Sequence, residues 1–92
     1  MYKILPYSYR QAKRLGVEIK PSKNPKYKID VFDPSGKFLC SGGQKGAMDY
    51  PTWKQKMGKT FAQERRRLYH IRHRKEFDNP NTRGYLIGRI LW

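Results

Sequence analysis

Apolar and polar side chains alternate most clearly over residues 26–43. Tyr27, Ile29 and Val31 alternate with polar neighbours, which is the period of a β-strand with one buried face. The sequence DPSG follows and a second short apolar segment returns after it. Proline pre-sets φ in such a turn and glycine allows φ to be positive. The pattern predicts a β-hairpin over 26–43, which must pack on another element because two strands alone are marginally stable.

The next long pattern has the period of a helix and covers residues 49–77. Asp49 or Tyr50 stands near its cap with a proline in the first turn, which is typical of a helix N-terminus. Gly58 is its only interruption and is the point at which we expect any break. On a helical wheel, five apolar side chains fall within about 80° of one another: Trp53, Met57, Phe61, Leu68 and Ile71. This stripe is predicted to dock on the hairpin.

The N-terminal residues 1–25 predict a short helix and an extended basic connector. Ser8 is the expected N-cap, and Gly16 suits the left-handed conformation that ends helices. The segment EIKPSKNPK then contains two prolines and three lysines. Its composition is typical of an extended loop, either solvated or lying along a DNA backbone.

The C-terminal residues 81–92 predict a last helix that is capped by Asn81 or Thr82 and has an apolar side. At this length it cannot span a membrane, so we expect it to pack in the core. The predicted fold class is therefore a small single α+β domain over 1–92. A two-stranded antiparallel hairpin packs on a long basic helix, with a short helix at each end.

Net charge is the feature of the composition that bears most on function. The 92 residues carry 21 Lys and Arg against 7 Asp and Glu, a formal net charge of +14. Segments 1–28 and 51–77 each carry +7, whereas the segment 29–50 between them carries −1. Such an excess weakens the compact state by self-repulsion and indicates an anionic partner.

Residues that would support enzymatic or metal chemistry are few. His70 and His73 can share a helix face, but a metal site needs further ligands and their neighbours are cationic. Cys40 is the single cysteine and lies in a predicted strand, where a buried, unreactive thiol is typical. The glycine-rich SGGQKG lacks the spacing of a phosphate-binding loop. We expect no enzyme, no cofactor, no metal site and no membrane span.

Two groups of basic residues are candidates for contacts with phosphates. The first lies on the predicted long helix and comprises Arg65, Arg66, Arg67, Arg72, Arg74 and Lys75. The second lies in the N-terminal segment and comprises Lys3, Arg10, Lys13, Arg14, Lys20, Lys23, Lys26 and Lys28. The alternatives are a solvated face that maintains solubility and a face that binds acidic protein neighbours.

The order of these motifs resembles an uncharacterised family of small basic proteins from giant DNA viruses, with looser relatives in tailed phages. The shared order is a K-[YI]-D-V-[FY] strand, a D-x-x-G-K turn, a helix with R-R-x-x-Y-x-x-R-H and a short tail with Trp. The matching positions here are Ile29, Asp30, Val31 and Phe32; Asp33, Gly36 and Lys37; Arg65 or Arg66, Tyr69, Arg72 and His73; and Trp92. The resemblance covers about residues 26–92 and implies a viral, virion-linked protein without an established mechanism.

Within this motif, Tyr69, Arg72 and His73 are spaced to share one helix face. They are candidates for a hydrogen-bonded structural cluster with Asp30 as the acidic partner of Arg72 or His73. Direct contact with a ligand is the alternative.

The sequence thus predicts a virion-associated, non-enzymatic protein that binds DNA or another polyanion. The alternative is a minor capsid or cement protein bound to acidic viral coat proteins. The expected location is the virion, or otherwise the interior of the host cell. The oligomeric state is left open.

Overall fold

The computed structural model describes residues 2–80 and 82–92. Within them the chain has an α+β fold with a three-stranded antiparallel sheet and five helices. The chain divides into two compact units, Met1–Ala47 and Met48–Trp92. The α+β class is confirmed, and the packing of the hairpin on the basic helix stays a prediction.

The first unit contains one helix and the whole sheet. Helix α1 covers Pro6–Leu15, and the strands are β1 (Glu18–Pro21), β2 (Tyr27–Phe32) and β3 (Phe38–Gln44). The strand order is β1-β2-β3 and both pairings are antiparallel. The central strand β2 contributes Ile29 and Val31, whose side chains are fully buried.

The prediction of two strands was wrong, because part of the expected connector forms β1. Ile19 is buried and lies opposite Val31 on β2, so the strand is held by a partner distant in sequence. Pro21 is the last residue of β1 and lies at the edge of the sheet, where the missing N–H is tolerated. The N–H of Ser22 then bonds to the carbonyl of Lys28.

Helix α1 begins earlier than predicted and is not capped by Ser8. Leu5 is the N-cap residue and Pro6 lies in the first turn, where its fixed φ suits a helix start. Ser8 is inside the helix and fully buried. The predicted end of the helix at Gly16 is confirmed, and Gly16 has φ 73° in the left-handed region.

The second unit is helical. Its helices are α2 (Tyr50–Met57), α3 (Lys59–Arg72), α4 (Arg74–Phe77) and α5 (Arg83–Leu91). The carboxylate of Asp49 caps α2 by accepting a bond from the Thr52 N–H at 3.0 Å. Thr82 caps α5 by accepting from the Tyr85 N–H at 3.1 Å, whereas the other predicted cap, Asn81, lies outside the described residues.

The predicted 49–77 helix is broken at Gly58, as expected, and again at His73. Gly58 has φ 89°, a conformation that side-chain-bearing residues rarely adopt. The five apolar side chains of the predicted stripe do not form one buried face, and Trp53 and Leu68 are only half-buried. Met57, Phe61 and Ile71 are exposed, and Ala62 is the buried residue of α3.

Helix α5 supplies the apolar interior of the second unit. Ile87, Ile90 and Leu91 are buried on it, in agreement with the predicted core role. Among the described helices, none is both long and apolar enough to cross a bilayer.

Candidate polyanion-binding faces

The positive charge is divided equally between the two units. Residues 1–47 contain ten Lys and Arg and three acids, and residues 48–92 contain eleven Lys and Arg and four acids. Each unit therefore carries a net charge of +7. Both are cationic enough to attract a polyanion by long-range electrostatics.

The three consecutive arginines of α3 are each engaged within their own unit. The Arg65 guanidinium lies 5.4 Å from the centre of the Trp53 ring, and that of Arg66 lies 5.0 Å from the centre of the Tyr50 ring. Such cation–π contacts join α3 to α2. These two arginines therefore have a structural role that charge counting does not reveal.

Arg67 forms an ion pair on the surface of α3. Its Nη2 and Nε donate to the two carboxylate oxygens of Glu64 at 2.6 and 3.1 Å. The hydrogen bond and charge of Arg67 lower the pKa of Glu64 below its usual value. This pairing neutralises one of the six basic residues predicted on the helix.

The remaining three predicted residues of this group have the geometry of free surface cations. Arg72, Arg74 and Lys75 are exposed. Arg72 ends α3, and the other two begin α4. None of the three side chains makes a hydrogen bond or ion pair with another described residue, and we refer to these three residues as the cationic corner.

Three members of the predicted N-terminal group lie on helix α1 and are exposed. Arg10, Lys13 and Arg14 lie on the solvent side of α1, and Arg14 Nη1 donates to Gln11 at 3.3 Å. Lys13 also lines a shallow depression of about 380 Å³ together with Tyr9, Ala12, Val17, Glu18, Ile19 and Lys20.

Two lysines of the wider N-terminal group are engaged elsewhere. Lys28 is buried, with its Nζ 5.2 Å from the centre of the Tyr2 ring. The Nζ of Lys20 lies 5.4 Å from the centre of the Phe32 ring. The number of cations presented to a ligand is therefore smaller than the sequence count.

Tyr69 is the centre of an aromatic cluster in the second unit. His73 stacks on its ring at 4.1 Å between centroids, and Trp92 stacks on it at 4.5 Å with an interplanar angle of 6°. His73 Nδ1 lies 2.9 Å from Glu76 Oε2. Tyr69 and His73 of the sequence motif are thus stacked, whereas Arg72 is exposed, and the acid that pairs with His73 is Glu76, three residues further along the chain.

Two ionisable rings of this cluster have shifted pKa values. Burial, and next the charge of Glu76, raises the pKa of Tyr69. Burial, and next the charge of Arg66, lowers the pKa of His70, although the backbone of Trp92 opposes this. Both shifts favour the neutral form of the ring.

Asp30, the predicted acidic member of the cluster, has its hydrogen bonds inside the sheet. Its Oδ1 accepts from the hydroxyls of Ser22 at 2.7 Å and Ser41 at 2.6 Å, one on each side of β2. Burial alone would raise the pKa of Asp30, but these bonds and the Lys23 N–H outweigh it and lower the pKa. These bonds link β2 to β3 and to the residue that follows β1. The pairing of Asp30 with Arg72 or His73, which lie in the other unit, stays a prediction.

Two contacts of α5 were not anticipated from the sequence. Gly84 faces Glu76 and Gly88 faces Phe77. A Cβ added at Gly84 would stand 2.5 Å from the Glu76 side chain, and one added at Gly88 would stand 2.8 Å from the Phe77 ring. The motif GYLIG, with small residues four apart, is the signal that could have revealed this close approach of α4 to α5. The contact between α4 and α5 fixes the position of Arg74 and Lys75, because both residues lie on α4.

The residues with metal-binding side chains are dispersed. Within residues 2–80 and 82–92, no three of the His, Cys, Asp and Glu side chains are grouped to hold a metal ion. Cys40 is half-buried and forms no disulfide within the described residues.

No protein-family model, curated protein or solved structure matches this chain.

Proposed function

We propose that the protein is a non-enzymatic, virion-associated component of a large DNA virus that binds DNA or another polyanion through its cationic faces. The observation that carries this proposal is the net charge of +7 on each of two compact units. A surface kept cationic for solubility alone does not need such an excess, which destabilises the folded chain by self-repulsion. The resemblance to small basic proteins of giant viruses supports the virion as the location.

The contacts with phosphate are assigned first to the cationic corner formed by Arg72, Arg74 and Lys75. These side chains are exposed and have no anionic partner among the described residues, so phosphate does not have to displace an existing contact. Arg10, Lys13 and Arg14 offer a second set of contacts on α1. Binding through such exposed cations neutralises phosphates and releases counterions, and it does not depend on base sequence.

The experiment is binding of the purified protein to a random duplex DNA across a salt series. We expect the logarithm of the affinity to fall linearly with the logarithm of salt concentration. Replacing Arg72, Arg74 and Lys75 by Gln should reduce the magnitude of this slope by about 2 to 3, since each lost phosphate contact contributes about 0.9.

The matched control keeps the charge at the same positions. Arg72→Lys with Arg74→Lys should leave the salt slope unchanged. DNA binding that is weak and is unchanged by the three Gln substitutions would contradict the proposal. Substitution of Arg65 and Arg66 is unsuitable for this test, because their contacts with Trp53 and Tyr50 also support the fold.

A second candidate function is that of a minor capsid or cement protein bound to acidic faces of neighbouring coat subunits. The observation that favours it is a set of large exposed apolar side chains: Tyr9, Phe38, Leu39, Met57, Phe61 and Ile71. Apolar groups interspersed with cations are suited to protein interfaces. Its test is the copy number per purified particle, which should be a fixed ratio to the coat subunits and should survive nuclease treatment.

A further inference from the structure

The depression beside helix α1 has the size of a binding site for a small group. Its volume is about 380 Å³, and sites for small molecules in proteins occupy about 300 to 1,000 Å³. The lining comes from one part of the chain, residues 9–20, which covers the end of α1, the turn after it and the start of β1. Every residue that forms the depression therefore belongs to the first unit.

Backbone hydrogen bonds fix the walls of this depression. The Gly16 N–H donates to the Lys13 carbonyl at 3.1 Å, and the Val17 N–H donates to the Ala12 carbonyl at 3.0 Å. Strand β1 is held by its antiparallel pairing with β2. Ala12 and Ile19 in the lining are 2% and 7% exposed, so the apolar part of the lining is anchored in the core. A site that is ordered before its ligand arrives binds at a lower entropy cost.

Tyr9 supplies the aromatic ring of the depression. Its side chain is 49% exposed, and its ring makes no stacking or cation–π contact with another described residue. Lys20 also lines the depression, but its Nζ lies 5.4 Å from the centre of the Phe32 ring, so that cation does not cover Tyr9. A nucleobase that stacks on an aromatic side chain gains about tenfold or more in affinity.

The charges around the depression indicate a base inside it and phosphates outside it. Arg10, Lys13 and Arg14 are exposed on α1, next to Tyr9 along the helix. Glu18 is the acid of the lining, and no described residue forms an ion pair or side-chain hydrogen bond with its exposed carboxylate. A carboxylate repels a phosphate, but it accepts hydrogen bonds from the N–H groups on the edge of an unpaired base.

We propose that this depression binds one unpaired base of a single-stranded nucleic acid. Tyr9 stacks on the base, and Glu18 accepts a hydrogen bond from its edge. The three cations of α1 contact the phosphates that flank the base. The bases of a duplex are paired and stacked, so they do not enter such a site. This inference rests on the proposed function, since it names single strands as the polyanion that the α1 face binds.

The test compares the affinities of the full-length protein for two DNA ligands at one salt concentration. One is a short single strand, and the other is an abasic strand of the same length, which keeps the phosphates and lacks the bases. We expect the intact strand to bind about tenfold or more tightly than the abasic strand. Equal affinities for the two strands, or binding of duplex DNA alone, would overturn this inference and leave the proposed function intact. Failure to bind the strands and duplex DNA would overturn both.

The variant that locates the base is Tyr9→Ala, and its matched control is Tyr9→Phe. Tyr9→Ala should lower the affinity for the intact strand by about tenfold and leave that for the abasic strand unchanged. Tyr9→Phe keeps the ring and should bind both strands like the wild type. A Tyr9→Ala protein that folds, by circular dichroism, and still prefers the intact strand would overturn the proposal.

Glu18→Ala separates the hydrogen bond to the base from general electrostatics. The substitution raises the net charge by one, so both strands should bind more tightly through their phosphates. The ratio of the affinities for the intact and abasic strands should nevertheless fall by about threefold, because the contact with the base edge is lost. An unchanged ratio would overturn the contact that we propose for Glu18.

The ring protons of Tyr9 provide a readout in the wild-type protein. Their nuclear magnetic resonance signals are assigned by comparison with Tyr9→Phe. They should shift upfield when the intact strand is added, because a stacked base shields them, and they should not shift with the abasic strand. Signals that respond equally to both strands, or to neither, would overturn the stacking of a base on Tyr9.

Discussion

The Phe77 ring occupies the space in which a side chain at Gly88 would lie. A Cβ built on Gly88 would stand 2.8 Å from the Phe77 Cζ. The ring cannot easily move away, since His70 packs at 4.5 Å between centroids and the Arg89 guanidinium lies 4.8 Å from its centre. Helix α4 therefore rests on α5 at this glycine.

Gly88→Ala should destabilise the protein. Alanine gains about 1 kcal/mol of helix propensity over glycine, but overpacking against a confined ring costs about 1 to 3 kcal/mol. We expect a net loss of about 1 kcal/mol in the free energy of unfolding, measured by denaturant titration.

Gly84→Ala is the matched control for that substitution. The side chain it meets is the flexible arm of Glu76, whose carboxylate also pairs with His73. Rotation of this arm gives up that pair, which is partly exposed, so the gain in helix propensity should about offset the loss and leave stability nearly unchanged. A Gly88→Ala protein as stable as Gly84→Ala would show that Phe77 is free to move.

Arg66→Ala should reduce stability more than Arg72→Ala, although both remove one positive charge. Arg66 covers the ring of Tyr50, which is 5% exposed, and a cation–π contact of this kind contributes about 1 kcal/mol. Arg72 is exposed, and its loss should change the unfolding free energy by less than about 0.5 kcal/mol. Equal effects of the two substitutions would mean that net charge outweighs the contact with Tyr50.

Asp30→Asn should destabilise the first unit at neutral pH and have little effect in acid. The pKa of Asp30 is lower in the folded chain than its ordinary 3.8, so its stabilising effect is present above that value. It is lost as the pH falls through the folded-state pKa. Because Asp30 is partly exposed to solvent, we expect a loss of only about 1 kcal/mol at pH 7.

The measurement for Asp30 is unfolding followed by far-ultraviolet circular dichroism at pH 7 and near pH 3. Ser22→Ala and Ser41→Ala should each reproduce part of the loss at pH 7, because each removes one donor to the carboxylate. A difference between Asp30→Asn and wild type that persists unchanged near pH 3 would contradict the assignment.

His70→Gln should flatten the dependence of stability on pH between 7 and 5. The pKa of His70 is lower in the folded chain than its ordinary 6.5, through burial first and then the charges of Arg66 and Arg89. The unfolded chain therefore binds a proton more readily, and stability falls as the pH drops below 6.5. Thermal unfolding of the two proteins at half-unit pH intervals measures this slope, and identical slopes would exclude His70 as its source.

Local features of the fold could be predicted from single residues. Gly16, Gly36 and Gly58 all have positive φ, at the helix stop, the turn and the helix break that the sequence predicts. The caps from Asp49 and Thr82 likewise depend on groups within three residues along the chain. Short-range hydrogen bonds and backbone sterics determine these features, so the pattern alone identifies them.

Features that depend on distant partners could not be predicted in the same way. Strand β1 exists because Ile19 meets Val31, and no local pattern in EIKP indicates it. The roles of Arg65 and Arg66 depend on a turn at Gly58 that brings α3 back to Trp53 and Tyr50. On one unbroken helix, the apolar stripe would face the core and both arginines would face solvent.

Both tryptophans, Trp53 and Trp92, lie in the second unit, and Trp92 is stacked on Tyr69. Intrinsic tryptophan fluorescence is therefore a reporter located in residues 48–92, since residues 1–47 contain no tryptophan. Its midpoint can be compared with the one from far-ultraviolet circular dichroism, to which the sheet contributes. Coincident midpoints would mean one cooperative transition, and separate midpoints would mean that the two halves of the chain melt independently.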